Sequence, residues 1–237
     1  YSQKDTLWVH SDTMKVFTYH INTDSTYRIL RAYDNVRAFR NDLQSVCGLL
    51  VGDSRDSCLT LLRDPVAWSG SRQIFGDSIK IFMNDSTVRQ VQVLGQAFSI
   101  EQFDDKDHFN QVSSKYMVSD FVDGNIRRNT NIGNVLSIYF PVDDKDTTII
   151  GLNYMETDTM RMYISEARKL EKIVCSKTQA TTYPMTQIPP GKSKLPGFQW
   201  FDNLRPKDKS DLFRRAEKTE EQKLKPTDRQ AAPLQNL

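Results

Sequence analysis

Val88-Arg-Gln-Val-Gln-Val-Leu-Gly-Gln-Ala-Phe-Ser-Ile100 returns 38 residues later as Ile126-Arg-Arg-Asn-Thr-Asn-Ile-Gly-Asn-Val-Leu-Ser-Ile138. Arg89 falls on Arg127, Gly95 on Gly133, Ser99 on Ser137, and Asp85 on Asp123 in the turn just before. Self-similarity at a fixed offset marks a chain built from repeated units. Two earlier stretches, Leu30–Phe39 and Leu59–Trp68, fit the same template. Each reads as a strand, then Gly, Asp or Arg followed by a polar residue, then a second strand. The intervals between these corners are 29, 32 and 38 residues, so the units carry insertions of different length.

A second element precedes most corners. Ser11-Asp-Thr-Met-Lys-Val-Phe17, Gly76-Asp-Ser-Ile-Lys-Ile-Phe82 and Thr157-Asp-Thr-Met-Arg-Met-Tyr163 share an Asp, a hydroxyl residue, and a base among apolar residues. Gly52-Asp53-Ser54 reads as a fragment of it. An Asp at a strand entry hydrogen-bonds backbone amides at a bend, so these carboxylates read as structural.

Within the elements the period is two. Ile79 and Ile81 alternate with Lys80, Val91 and Val93 with Gln92, Phe98 and Ile100 with Ser99. Such short alternating runs predict half-buried strands. Asn84-Asp-Ser, Asp104-Asp-Lys-Asp107, Asp123-Gly-Asn and Asp143-Asp-Lys-Asp146 punctuate them. The expected fold is all-β, a solenoid or an open stacked jelly roll over residues 1–185. From 186 to 237 a proline-rich, charged extension is expected, irregular and partly disordered. Within it, Gly197-Phe-Gln-Trp-Phe201 is expected to dock on the body, a short charged helix is expected over 208–222 with Ser210 at its start, and 224–237 is expected to be mobile.

A mean hydropathy of −0.57 suits strands that bury one face. A net charge of +2 with interleaved acids and bases argues against a nucleic-acid partner. No run of 18 or more apolar residues is present to span a bilayer as a helix. The chain starts at Tyr1, from which removal of a preceding segment is expected. Cys47, Cys58 and Cys175 have no metal-ligand spacing. A turn over Gly52–Asp56 would set Cys58 opposite Leu50, out of register with Cys47, so buried thiols are expected.

Several of these stretches together resemble a known family. Asp42-Leu-Gln-Ser-Val-Cys47 through Asp64-Pro-Val-Ala-Trp68, then Phe75-Gly-Asp-Ser-Ile79, resemble the OstA/LptA family, in particular its Bacteroides-type OstA-like members. So do Phe109-Asn-Gln-Val112, the run from Gly133-Asn to Ile138-Tyr-Phe140, and Leu195-Pro-Gly-Phe-Gln-Trp200 with Arg205-Pro206. The resemblance spans roughly residues 5 to 206 and is specific in the order of its soft motifs. It implies a periplasmic, non-enzymatic protein whose concave interior holds the acyl chains of lipopolysaccharide or a similar envelope amphiphile, or else an outer-membrane assembly scaffold. It also implies end strands that pair with other envelope transport components or with further copies.

On alternation, the lipid-lining residues are expected to be Ile79, Ile81, Val91, Val93, Phe98, Ile100 and Ile138, with Trp68 wider out. Arg37 and Asn131 fall where other copies carry Phe98 and Val93, so either those units are shifted in register or the slot is partly polar. The N-terminal edge, Leu7–Phe17, is expected to accept a partner strand. The C-terminal edge is expected to be capped by charges and the proline-rich segment. No catalytic group, cofactor or metal site stands out: His10, His20 and His108 are scattered, and the acidic turns read as solvated hairpin tips. The competing expectations are a polysaccharide-active parallel β-helix enzyme, which needs stacked acids on one outer face, and a cell-surface adhesion module.

Overall fold

The computed structural model describes residues 6–85, 87–143, 148–167 and 169–215. Its strands are β1 (Trp8–His10), β2 (Thr13–Tyr19), β3 (Tyr27–Arg40), β4 (Leu43–Asp53), β5 (Cys58–Leu62), β6 (Val66–Ser69) and β7 (Arg72–Phe75). They continue with β8 (Ser78–Asn84), β9 (Thr87–Gln102), β10 (Phe109–Val122), β11 (Asn125–Tyr139), β12 (Gly151–Ile164), β13 (Leu170–Ser176) and β14 (Gln179–Pro184). Three 3-10 turns follow, and there is no α-helix among the described residues. The acidic turn beyond Asp143, the second half of the expected helix and the stretch 224–237 lie outside the described residues.

The fold is all-β. Every strand pairing is antiparallel, which removes the parallel β-helix reading. Successive strands pair as a meander, and each crosses one shared fold line that divides the sheet into two walls. The short strands are arms of folded strands: β1 and β2, β5 and β6, β7 and β8, β13 and β14 each sit on opposite sides of that line. Wall A holds β2, β5, β8, β13 and one arm of each long strand; wall B holds β1, β6, β7, β14 and the other arms. Because β5–β6 and β7–β8 break at the line, the pairings β4–β5–β8–β9–β7–β6 close into a ring of six strands. A purely open sheet would have no such circuit.

The corners explain the line. Asp34-Asn35, Arg63-Asp64, Gly95-Gln96 and Gly133-Asn134 all have positive φ at both residues, from 47° to 84°. These are the corners read from the sequence. Opposite each pair stands a single residue. The register jumps from Tyr33↔Leu49 to Val36↔Cys47, leaving only Gly48 facing two residues. Likewise it jumps from Ala97↔Ser114 to Leu94↔Tyr116, leaving only Lys115. Two residues opposing one is a β-bulge, which bends the sheet and raises its twist; stacked strand after strand, the bulges make a crease.

Asp12, Asp77 and Asp158 of the second sequence element are single-residue corners of this kind, and the amides of Asp12 and Asp77 bond Asp34 O and Gly95 O. Gly52-Asp53-Ser54 is not: it closes the β4–β5 hairpin, where Asp53 pairs with Cys58 and Leu50 with Leu61. All three cysteines are free, with Cys47 and Cys58 buried.

At several crossings the packing leaves no room for a side chain on one member. A Cβ on Gly48 would come within 2.8 Å of Arg63 Cβ, and one on Gly133 within 2.9 Å of the Lys115 side chain.

From Pro184 the chain turns back and runs across the outer face of wall B as a strap. Gln111, Gln73 and Gln44 stand in one outer row with Trp68, Ile100 and Ile138, and each holds the strap. Gln111 donates to Ser193 O (2.9 Å) and accepts from Leu195 N (2.8 Å). Gln73 donates to Gln199 O (2.8 Å) and accepts from Phe201 N (2.8 Å) and the Trp68 indole (3.1 Å). Gln44 Oε1 accepts from the Arg205 guanidinium at 2.9 and 2.6 Å. The expected aromatic docking of Gly197–Phe201 is thus real, and the described part of the extension is bound to the body rather than loose.

Where the helix over 208–222 was expected there is only the 3-10 turn Ser210–Phe213. Lys209 precedes it without a side-chain cap, and the chain is extended again at Arg214. The Asp208 carboxylate holds the Ser210 and Asp211 amides. Asp211 is tied to buried Arg37, whose Nε donates to Asp211 O and whose Nη2 lies 3.5 Å from Asp211 Oδ2. These anchors fix one turn against wall B and leave no apolar stripe to extend it.

Candidate functional site

The inner faces of the two walls define the site. Across wall A, Ala32, Leu50, Leu61, Ile79, Val93 and Met117 face one another in turn on six successive strands. Across wall B the inner row is Ala38, Ser45, Ala67, Ile74, Ser99 and Val112. Large aliphatics on one wall meet small residues on the other, and one apolar cluster draws from both, including Ile81, Val91 and Ala97. Side chains fill the groove here: Ile79 is 0 % and Val93 1 % exposed.

Of the expected lining residues, Ile79, Ile81, Val91 and Val93 belong to this inner cluster. Trp68, Phe98, Ile100 and Ile138 do not. They lie on the outer face of wall B in a second cluster with Leu195, Phe201 and Leu204 of the strap. Phe98 stacks on Phe75 at 5.0 Å, and Phe75 meets Phe201 edge-on at 5.4 Å. The eight residues are all buried, yet in two cores separated by the thickness of a sheet.

Beyond Met117 the inner face changes character. The wall A row continues through Asn131, Met160 and Cys175, and its neighbour on the same wall, Leu59, Ile81 and Val91, continues through Ser119, Asn129, Met162 and Ile173. No residue of β11, β12 or β13 belongs to the buried inner cluster. In its place comes a short polar chain: Asn131 Nδ2 donates to Asn129 Oδ1, and Asn129 Nδ2 donates to Ser119 Oγ at 2.8 Å. Asn131 Oδ1 is buried without a hydrogen-bond partner among the described residues, a state that costs about 1–3 kcal/mol. The Asn131 flagged by the repeat therefore keeps its register, and the groove is polar at that rung. Arg37 also keeps its register, on the outer face in the row of Val46, Val66, Phe75 and Phe98.

Past the polar rung the inner face is rich in sulfur: Met155, Met160, Met162 and Cys175, with the Cys175 thiol 3.5 Å from Met155 Sδ. Met155, Met162 and Cys175 are half-buried. Unbranched thioethers adapt their shape to what they contact. The apolar inner face stays exposed at both ends of the sheet, with Met14 46 % and Val16 60 % exposed on β2 and Ile173 42 % exposed on β13.

The proline-rich segment covers wall B instead of the β13 edge, so the capped C-terminal edge expected from the sequence is not formed among the described residues. Ser119, Asn129 and the methionines of β12 were not among the lining residues expected from the sequence, although Met160 and Met162 lie in one of its recurring elements.

Other chemistry is tied up locally. In the acidic turn at 104–107, Asp105 accepts the Asp107 and His108 amides and pairs with the His108 ring at 2.6 Å. These contacts, the His108 amide first, hold its carboxyl down at about 2. Burial pushes the Cys47 thiol up to about 12.

No family model matches the chain, and no curated protein matches it. A solved structure to which it is similar is LptH from Pseudomonas aeruginosa, the LptA-homologous periplasmic component of the lipopolysaccharide transport device. The match is 9 % identical, covers 79 % of this chain and 97 % of that one, and has a TM-score of 0.40. No helix among the described residues is long and apolar enough to cross a membrane.

Proposed function

We propose that this chain is a non-enzymatic periplasmic carrier that holds the acyl chains of lipopolysaccharide, or of a similar envelope amphiphile, between its two walls. On this reading the walls are those of an open jelly roll, and the filled stretch around Ile79 and Val93 is its floor. Acyl chains enter over the β11–β13 half, between Met155, Met162 and Ile173.

The observation that carries the reading is the inner face itself, apolar over most of the sheet and still apolar where β2 and β13 leave it exposed. Covering such surface with hydrocarbon is worth about 25 cal/mol per Å², with no covalent step. The unpaired outer sides of β2 and β13 suit edge pairing with other transport components or with a second copy.

Native mass spectrometry of the protein purified from an outer-membrane-bearing host tests this. A bound species of lipid A mass is the expected result. Protein that is ligand-free across preparations would overturn the carrier reading and favour an adhesion module.

A further inference from the structure

Asn131 lies at the boundary between the filled and the half-open parts of the groove. Its row neighbours are Met117 on one side and Met160 on the other, both buried. The polar chain that ends on it has a direction. Asn131 uses one amide hydrogen on Asn129, and Asn129 uses one on Ser119. At the Asn131 end a second amide hydrogen remains, and the Oδ1 acceptor has no partner on a residue 0 % exposed. An acceptor enclosed in apolar surroundings is satisfied only by a donor. Wall B's inner residues on these strands include Ser114 and Ser137, small like those that face the floor.

We propose that Asn131 Oδ1 receives a hydroxyl or amide N–H carried on the hydrophobic part of the bound amphiphile, making this rung a selector for hydroxylated or amide-linked chains. This rests on the carrier reading above and adds a ligand chemistry to it. An unsubstituted chain covers the same apolar surface and leaves the carbonyl unpaired. A site built to hydrogen-bond one group discriminates against the analogue that lacks it.

The test is displacement of a fluorescent fatty-acid probe from the full chain by a 3-hydroxy fatty acid and by the unsubstituted acid of equal length. The wild type is expected to bind the hydroxy acid about tenfold more tightly. In Asn131→Leu the ratio is expected to fall to about one, with the unsubstituted acid bound at least as well as before. A wild-type ratio of one overturns the selector, as it does if a buried water already satisfies the carbonyl, and this arm holds even if the variant does not fold. A ratio that survives in folded Asn131→Leu overturns it too. Binding of neither acid overturns the carrier reading instead, a separate outcome from equal binding of both.

Discussion

Val93 and Phe98 sit five residues apart on one strand and pack into different cores: Val93 faces Ile79 and Met117 in the groove, whereas Phe98 stacks on Phe75 beneath the strap. Truncating them therefore has separable consequences. Phe98→Ala should cost about 3–5 kcal/mol, read as a fall in the urea midpoint. Limited proteolysis of this variant should cut first at Lys192 and Lys194, because the strap has lost part of its seat. Val93→Ala, brought to equal global stability by adjusting urea, should leave those sites protected. Equal cutting in both variants would mean that the two cores are not independent.

Gln73 offers a second check, since one amide serves Trp68, Gln199 and Phe201. Gln73→Ala leaves buried donors and an acceptor unmet, at about 1–3 kcal/mol each when water cannot replace the partner. A total loss of about 2–4 kcal/mol is expected. Gln92→Ala, on the half-buried outer face of wall A, should stay within about 0.5 kcal/mol. Chemical denaturation of the two variants side by side decides it.

The crease predicts a contrast between glycines. Gly95 (φ 72°) and Gly124 (φ 73°) share a left-handed backbone, but only at Gly95 would a Cβ run into a neighbour, the Asp77 carboxylate. Gly124→Ala should cost about 1–2 kcal/mol, the left-handed penalty alone. Gly95→Ala should cost more than Gly124→Ala, because the Asp77 side chain must also give way and loses its contact with Gln96. Thermal unfolding of both variants gives the comparison.

The thiols should react in order of access. Cys47 is buried, with its thiol pushed up to about 12, while Cys175 is only half-buried and its thiol is raised by a lesser burial. Since the thiolate is the reactive form, alkylation of the folded protein at pH 8 should label Cys175 first and Cys47 last. Peptide mass mapping over time reads the order, and early labelling of Cys47 would contradict the filled groove.

Asp105 gives a pH signature. Its folded-state carboxyl lies at about 2, below the ~3.9 of an unfolded chain. A depressed carboxyl stabilises fully above the unfolded value and loses that contribution as pH falls through the folded one. The gap in urea midpoint between wild type and Asp105→Asn should therefore be widest above about pH 5 and narrow steadily towards pH 2. A gap independent of pH would show that the carboxylate charge is not what the His108 and Asp107 amides hold.

The corners were legible because their cause is local. Two successive left-handed residues favour Gly, Asp and Asn, so Asp34-Asn35, Gly95-Gln96 and Gly133-Asn134 announce themselves at any distance from their partners. The repeat also set Asn131 and Arg37 in the rows of Val93 and Phe98, but left open whether those rows were shifted or the slot was polar, and the structure puts only Asn131 in the groove. The strap was only half legible. Its aromatics pointed to docking, but the surface that receives them depends on Gln44, Gln73 and Gln111, three amides that look like ordinary exposed positions until the strap covers them.

Alternation established by itself that Trp68, Ile79, Ile81, Val91, Val93, Phe98, Ile100 and Ile138 are all buried. It did not establish on which face. A period of two is the same read from either side of a sheet, and a two-residue corner preserves the phase, so Val91 and Val93 keep odd numbers on the inner face while Phe98 and Ile100 keep even numbers on the outer one. Only the tertiary structure, by laying Leu195, Phe201 and Leu204 across wall B, gave that wall a second dry face and divided one apparent lining into two cores.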